Sequence, residues 1–247
     1  MLLFIALVLF EQLIAYALFD ARALLDLTEA QRSSLTVLLG NGCVFALVMH
    51  FQDLGYRDLF HSGASSARAT LGLIVPPTLL LVPLLLLVMG WVQAVMTHFF
   101  PLSAWEEQGF ARMGSDEFAS LLAVCVLAPV LEEMLFRGIV LRGFLQRYSR
   151  ATAIVGSAVL FGAVHLNMYQ FMGGLVAGLI LGWLYERTRS LIPCIALHGA
   201  YNTGATMLSE APHRAEDGMA FGLLSLVAAV CGALALRRLL GGERAVR

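Results

Sequence analysis

Glu132, Glu133 and Arg137 lie in the middle of a long apolar stretch, where ionisable groups are rare. An ionised side chain at the centre of a bilayer costs roughly 2.5 to 3.5 kcal/mol on insertion scales, so such groups persist where they face a protein interior or a water-filled cavity. A carboxylate in such a place can act as a general base toward water. We therefore interpret residues 117–150 as the segment that carries the chemistry.

Two further polar clusters occur in apolar surroundings. Phe161 precedes His165 by four residues, and His198 precedes Asn202 by four residues. Residues four apart share one face of a helix, so each pair is predicted to project in one direction. Histidine and asparagine side chains can donate hydrogen bonds to the oxyanion that forms when an amide carbonyl is attacked. A carboxylate, two imidazoles and an amide in one dry pocket would suit hydrolysis of a peptide bond.

Two other interpretations of these residues stay open at this point. Glu132, His165 and His198 could bind zinc, whose bound water would then be the nucleophile. Alternatively, the two glutamates and Arg137 form a buried ion-pair network with no catalytic role. The sequence lacks the His-Glu-x-x-His motif that is typical of zinc peptidases.

The rest of the chain has the composition of a helical membrane protein. Apolar residues make up 59% of the 247 residues and charged residues 13%, against about 25% charged residues in soluble domains. Several apolar runs reach the ~20 residues that a helix needs to cross about 30 Å of hydrocarbon. We predict an all-α, polytopic membrane helical bundle with about eight transmembrane helices, forming a single domain over residues 1–247. The predicted spans are 1–19, 33–50, 69–97, 117–147, 151–166, 171–186, 191–208 and 218–236.

The arginines predict how these spans are oriented. The chain has sixteen basic residues, and all of them are arginine. If the spans alternate in direction, twelve arginines fall on one side and four on the other, so the positive-inside rule places both termini in the cytoplasm. We expect a multi-pass protein of the plasma membrane, here a bacterial inner membrane, with the lipid bilayer as a partner. A net charge of −1 argues against a nucleic-acid partner.

Two connecting features are predicted to position the polar clusters. A hairpin turn near residues 148–149 would bring Glu132 and His165 to the same depth, because each lies about sixteen residues from it. Glycines on one face of the sixth span suggest close helix packing; they are Gly173, Gly174, Gly178 and Gly182.

The segment 98–116 is short, acidic and aromatic. It contains Trp105, Glu106, Glu107 and Asp116, and the alternation of spans places it on the outer side. We interpret it as a solvated interfacial loop, with a substrate lid as the alternative.

Taken in order, the three clusters resemble the CPBP intramembrane protease family. This family includes the type II CAAX prenyl endopeptidases and bacterial bacteriocin-processing and immunity-type membrane proteins. Its pattern is Glu-Glu-x-x-x-Arg, then Phe-x-x-x-His, then His-x-x-x-Asn or Asp on successive helices. The resemblance covers about residues 117–208, which we predict to be the catalytic core, and the other spans carry no matching motif.

The resemblance implies an endopeptidase that acts on a membrane-associated protein or peptide. By position in the motifs, Glu132 would activate the water, His165 would help to position it, and His198 and Asn202 would form the oxyanion site. Arg137 would orient the glutamate pair with Glu133 as its partner, although an exchange of roles between the two glutamates stays open. The resemblance leaves metal use open too. We favour a mechanism with no required cofactor, and zinc on Glu132, His165 and His198 is the alternative.

Two hypotheses from other classes compete with the protease. Intramembrane glutamate and histidine often form proton relays, so a proton- or solute-coupled transporter is one alternative. Inverted repeats with matched broken helices would indicate a transporter, and the sequence shows none. The other alternative is a non-catalytic immunity or scaffold membrane protein.

Overall fold

Helices dominate the chain in a computed structural model that describes residues 2–113, 118–210 and 218–241. No strand forms within those ranges, and the prediction of an all-α fold is confirmed. Short helices at Tyr56–Phe60, Ala67–Ala69, Thr70–Ile74 and Val75–Leu79 lie between the second and third long helices. The helices of ten or more residues are α1 (Leu2–Asp20), α2 (Glu29–Phe51), α3 (Val82–Phe99), α4 (Ala104–Met113), α5 (Phe118–Leu145), α6 (Arg150–Ala163), α7 (Met168–Thr188), α8 (Ile192–Glu210) and α9 (Gly218–Gly241).

The outer surface of the bundle is apolar, as expected for a protein surrounded by lipid. Large side chains such as Leu9, Leu13 and Trp91 are well exposed, and many others on the outer helices are exposed too. Soluble proteins rarely expose contiguous apolar patches of more than a few hundred Å². The predicted membrane helical bundle is therefore the fold of this chain.

The expected number of eight spanning helices is not exact. Among the described residues, six helices are long and apolar enough to cross a membrane, and α6 and α8 are not among them. Helix α6 has 14 residues, about 21 Å at helical rise, which is less than the hydrocarbon thickness. Helix α8 carries His198, Tyr201 and Asn202, and these polar groups lower its apolar character. It tolerates them because it faces protein along most of its length.

Prolines interrupt the third predicted span, as the sequence indicates. A proline has no N–H to donate and its ring clashes with the preceding turn of the helix. The segment 67–99 accordingly consists of short helical pieces, one of them the π-helical Thr70–Ile74, followed by α3. The prolines concerned are Pro76, Pro77 and Pro83.

Hydrogen bonds at the two ends of the bundle show which helix termini lie together. At one end, Arg142 in the last turn of α5 donates to the carbonyl of Asp58, in the short helix Tyr56–Phe60, at 2.9 Å. At the other end, the hydroxyl of Tyr169 in the first turn of α7 donates to the carbonyl of Phe100. Helix ends that meet in this way belong to antiparallel neighbours. The turn between α5 and α6 falls at residues 146–149, where the predicted turn lies, and Ser149 is the N-cap of α6.

Helices α6 and α7 approach closely because small residues meet along their interface. A Cβ atom built on Gly178 would lie 2.9 Å from Cα of Ala158, and one built on Gly174 would lie 2.9 Å from Cα of Gly162. The predicted packing role of the α7 glycines is therefore confirmed for this face. Gly173 does not share it, because a Cβ there would meet nothing within 4 Å; it lies about 100° around the helix from Gly174.

Gly178→Ala should lower the free energy of unfolding by about 1–3 kcal/mol, because the added methyl group overlaps the α6 backbone. Gly173→Ala, in the same helix, should leave it unchanged or raise it by up to about 1 kcal/mol through helix propensity. Reversible unfolding of both variants in detergent measures the difference. Equal stability of the two variants would contradict the close α6–α7 contact.

Candidate active site

The glutamate pair lies in the irregular middle of α5. Pro129 is flanked by two π-helical stretches, Ala123–Leu127 and Met134–Leu141. Such stretches are rare and frequently occur at functional sites. Glu132 and Glu133 end the α-helical piece Ala128–Glu133, and the second π-helical stretch begins directly after them and contains Arg137.

Glu133 is the centre of a buried network. Its Oε1 atom accepts a hydrogen bond from Nη1 of Arg137 at 2.8 Å and lies 2.8 Å from Nδ1 of His198. The side chains of Glu133 and Arg137 are both fully buried. Since an ionised carboxylate has no proton to donate, the proton in the contact with His198 is assigned to Nδ1. Glu133 therefore determines which nitrogen of His198 carries a proton.

Glu132 approaches the opposite nitrogen of the same ring. Its Oε2 atom lies 3.8 Å from Nε2 of His198, which is too long for a hydrogen bond. The Glu132 side chain is 30% exposed, whereas that of Glu133 is 0% exposed. The imidazole of His198 is thus placed between two carboxylates, of which only Glu132 is open to its surroundings.

Arg137 has two further partners that the sequence motifs do not indicate. Its guanidinium carbon lies 4.4 Å from the centre of the Phe161 ring, a cation–π contact. Its Nη2 atom donates to the carbonyl of Gly178 at 3.4 Å. The sequence carries no signal for the second contact, because a backbone carbonyl is present at every residue.

Phe161 links the two histidines of the motifs. Its ring meets His198 edge-on at 5.8 Å and His165 edge-on at 5.5 Å between ring centres. The aromatic residue therefore lies against the guanidinium group of Arg137 and both imidazoles, which explains why an aromatic ring rather than an aliphatic side chain suits this position.

His165 is connected to the network through Phe161. Helix α6 ends at Ala163, so His165 lies in the following turn, and its Nδ1 atom is 2.9 Å from the carbonyl of Phe161. Within the described part of the chain, no hydrogen bond or ion pair joins His165 to Glu132 or His198. The structure thus gathers both glutamates, Arg137 and His198 directly, and connects His165 to them through Phe161.

Asn202 supplies a hydrogen-bond donor that Pro129 lacks. Its Nδ2 atom donates to the carbonyl of Val124 at 2.9 Å. Val124 lies in a π-helical stretch, where its carbonyl would pair with the N–H five residues later. That residue is Pro129, which has no N–H. One amide hydrogen of Asn202 is used in this contact, and the second is available for another acceptor.

The three residues predicted as alternative zinc ligands are not arranged to bind zinc. A zinc site needs nitrogen and oxygen donors about 2.0–2.2 Å from a common point. Across the described ranges, no group of three His, Cys, Asp or Glu side chains is placed to hold a metal ion. Glu132, His165 and His198 therefore do not fit the ion as a set, and no step below depends on a metal.

Comparison with known proteins bears on the same segment of the chain. Residues 114–204 match the protein family described as "Type II CAAX prenyl endopeptidase Rce1-like". The "Putative membrane peptidase YdiL" of Bacillus subtilis (strain 168) is 27% identical over 94 residues, which are 38% of this chain and 38% of that protein. No solved structure matches the chain. The resemblance that the motifs indicate is thereby confirmed for the segment that contains them.

Proposed function

We propose that this chain, whose central segment is similar to the type II CAAX prenyl endopeptidases, is an intramembrane endopeptidase. It would hydrolyse a peptide bond of a membrane-associated protein or peptide. The observation that carries the proposal is the position of His198 between a buried, arginine-paired Glu133 and a partly exposed Glu132. We further propose that residues 117–208 are the catalytic core within a single transmembrane domain of residues 1–247.

Glu132 is the proposed general base. Its carboxylate is 30% exposed and forms no ion pair with an arginine in the described chain, so it can take a proton from water. Glu133 is unsuited to this step, because Arg137 and His198 both contact its Oε1 atom and the side chain is fully buried. The hydroxide attacks the carbonyl carbon, and the proton on Glu132 passes to the leaving amine as the C–N bond breaks.

His198 and Asn202 are the proposed oxyanion donors. The Nδ1 proton of His198 faces Glu133, so donation from Nε2 requires the ring to be protonated on both nitrogens. Oε1 of Glu133 lies 2.8 Å from Nδ1 and Oε2 of Glu132 lies 3.8 Å from Nε2, so each ring nitrogen has a carboxylate near it. The amide hydrogen of Asn202 that is not bound to Val124 supplies the second donor. Because Nε2 of His198 lies 3.8 Å from Oε2 of Glu132, the donor and the base would both reach the same carbonyl group of the substrate.

His165 and Arg137 take supporting roles in this mechanism. The Nδ1 atom of His165 is engaged by the carbonyl of Phe161, so Nε2 is the nitrogen that would help to position the water. Arg137 would orient Glu133 through their 2.8 Å contact. Neither residue would exchange a proton with the substrate.

The location of the site limits the substrate class. Glu132 lies near the middle of α5, one of the helices long and apolar enough to cross a membrane. A peptide bond that reaches it would have to lie in or beside the bilayer. The arginine distribution further leads us to propose a multi-pass protein of the plasma membrane with both termini in the cytoplasm.

Cleavage of membrane-anchored peptides by the purified protein in liposomes tests the proposal. We expect internal cleavage sites and, in water enriched in ¹⁸O, one labelled oxygen in each new carboxyl group, because water is the nucleophile. Mass spectrometry of the products measures both. A protein that cleaves no anchored peptide, yet conducts protons in a manner abolished by Glu132→Gln, would support the transporter hypothesis instead.

The same assay tests the metal independence of the reaction. We expect incubation with 1,10-phenanthroline to change the cleavage rate by no more than about twofold, because the described donors do not gather around one point. Loss of activity that added zinc restores would instead support zinc bound by Glu132, His165 and His198.

A further inference from the structure

The turn that carries His165 is hydrogen-bonded to α4, a helix that has no role in the proposed mechanism. The segment 98–116, predicted as an interfacial loop, contains this helix, while Asp116 lies outside the described residues. Asn167, two residues after His165, is the N-cap of α7. Its Oδ1 atom accepts hydrogen bonds at 3.0 and 3.2 Å from the backbone N–H groups of the second and third residues of that helix. Its Nδ2 atom donates to Oε1 of Glu106 at 3.2 Å.

Glu106 is itself held in place at the start of α4. Its Oε2 atom accepts hydrogen bonds from the backbone N–H and the hydroxyl of Ser103 at 2.8 and 2.7 Å, and the Ser103 hydroxyl accepts from the N–H of Glu106 at 3.3 Å. This reciprocal pattern is a capping box. The hydrogen bond from the Ser103 side chain, followed by that from its backbone, lowers the pKa of Glu106 below its ordinary value. The carboxylate is therefore ionised at neutral pH, and each oxygen has its own partner.

Capping alone does not account for the second carboxylate oxygen. The capping box uses Oε2 of Glu106, and Oε1 reaches across 61 residues of sequence to Asn167. The turn also contains Leu166 with φ of 51°, a left-handed conformation that is rare for leucine. A turn in this conformation depends on its surroundings to keep its shape, and α4 supplies a contact beside His165.

We propose that Glu106 and Asn167 form a clamp that positions His165 for hydrolysis. The inference rests on the proposed function and assigns positioning roles, not catalytic ones, to both residues. Within the described residues, the His165 ring has one hydrogen bond, to the Phe161 carbonyl, and an edge-on contact with the Phe161 ring. The rest of its placement depends on the turn. Displacements of about 1 Å in a positioning group can lower turnover about 10²-fold.

Reversing the direction of the clamp's hydrogen bond tests this proposal. Asn167→Asp keeps a good N-cap for α7 but removes the Nδ2 donor and places two carboxylates together. Glu106→Gln keeps the capping box, because glutamine is also suited to that position. In the double variant, the amide of the new glutamine can donate to the new aspartate while its oxygen still accepts from Ser103.

We expect Asn167→Asp to lower kcat about 10- to 100-fold with little change in KM, because His165 is displaced while the substrate site is retained. The double variant should recover kcat to within about threefold of wild type. Glu107→Gln is the matched control, since Glu107 is the exposed neighbour with the same charge, and it should cleave at the wild-type rate. Wild-type kcat in Asn167→Asp, or a double variant as slow as Asn167→Asp, would overturn the clamp.

A second measurement separates failure of the clamp from failure of the proposed function. The ¹⁵N signals of the His165 ring, assigned by their loss in His165→Gln, should shift or broaden in Asn167→Asp and return in the double variant. If wild type cleaves no peptide, the proposed function fails and these signals alone decide the clamp. Unchanged His165 signals in Asn167→Asp would overturn the clamp whether or not the protein is a protease.

Discussion

Glu132→Gln is expected to reduce the cleavage rate about 10²- to 10⁴-fold, the range typical of losing a general base. Glutamine has the same shape but does not accept a proton from water. The protein should stay folded, because Glu132 is 30% exposed and its contact with His198 at 3.8 Å is longer than a hydrogen bond. Single-turnover cleavage of an anchored peptide in liposomes, together with thermal unfolding of the same preparation, measures both effects.

Glu11→Gln provides the matched control for this substitution. Glu11 is another glutamate in an apolar helix, and its Oε1 atom accepts a hydrogen bond from Asn41 at 3.4 Å, a residue outside the network around His198. We expect Glu11→Gln to change the cleavage rate by no more than about twofold. A Glu132→Gln protein that cleaves at the wild-type rate would refute the role of Glu132 and with it the mechanism proposed above.

Arg137→Met should lower the free energy of unfolding by about 3–5 kcal/mol, the range typical of removing one partner of a buried ion pair. The variant leaves the fully buried carboxylate of Glu133 without its guanidinium partner at 2.8 Å. It also removes the cation–π contact with Phe161 and the hydrogen bond to the Gly178 carbonyl. Reversible unfolding in detergent, followed by circular dichroism, gives the difference in stability.

The pair formed by Arg150 and Glu186 supplies a contrasting control. Its atoms approach to 3.1 Å; the Arg150 side chain is 63% exposed, although that of Glu186 is only 7% exposed. Exposed ion pairs contribute about 0–1 kcal/mol, and because water reaches one partner of this pair, Arg150→Met should lower the free energy of unfolding by less than Arg137→Met. The double variant Glu133→Gln with Arg137→Met should be more stable than Arg137→Met alone, because no buried charge remains unpaired. Equal losses for Arg137→Met and Arg150→Met would contradict a buried network.

Much of the fold follows from local properties of the chain. Long apolar runs form helices in lipid because no water is present to satisfy free backbone groups, and all of the predicted spans overlap helices in the structure. The number of membrane-crossing helices was less predictable. Helix α8 is surrounded largely by protein, so its polar residues need not be excluded, and α6 is shorter than the hydrocarbon layer. Length and apolarity describe contact with lipid and say little about helices that contact one another.

The two glutamates lie in different environments, which the sequence does not predict. The four-residue spacing from Glu133 to Arg137 is compatible with pairing on one helix face, yet Glu132 is only one residue further away. The structure distinguishes them by burial, since Glu133 is fully buried and Glu132 is partly exposed. Burial depends on the faces that neighbouring helices cover, which spacing within one helix does not determine.

The sequence by itself determined the membrane-helical class, the six polar residues on three segments and their resemblance to a protease family, because residue types, spacing and apolar length are properties of the chain alone. The tertiary structure decided that His198 contacts Glu133, that Asn202 supplies the donor missing at Pro129, and that Glu106 reaches Asn167. These contacts join residues 61 to 78 positions apart. They depend on the depth, tilt and rotation of packed helices, and one of them ends on a backbone carbonyl that no residue type marks.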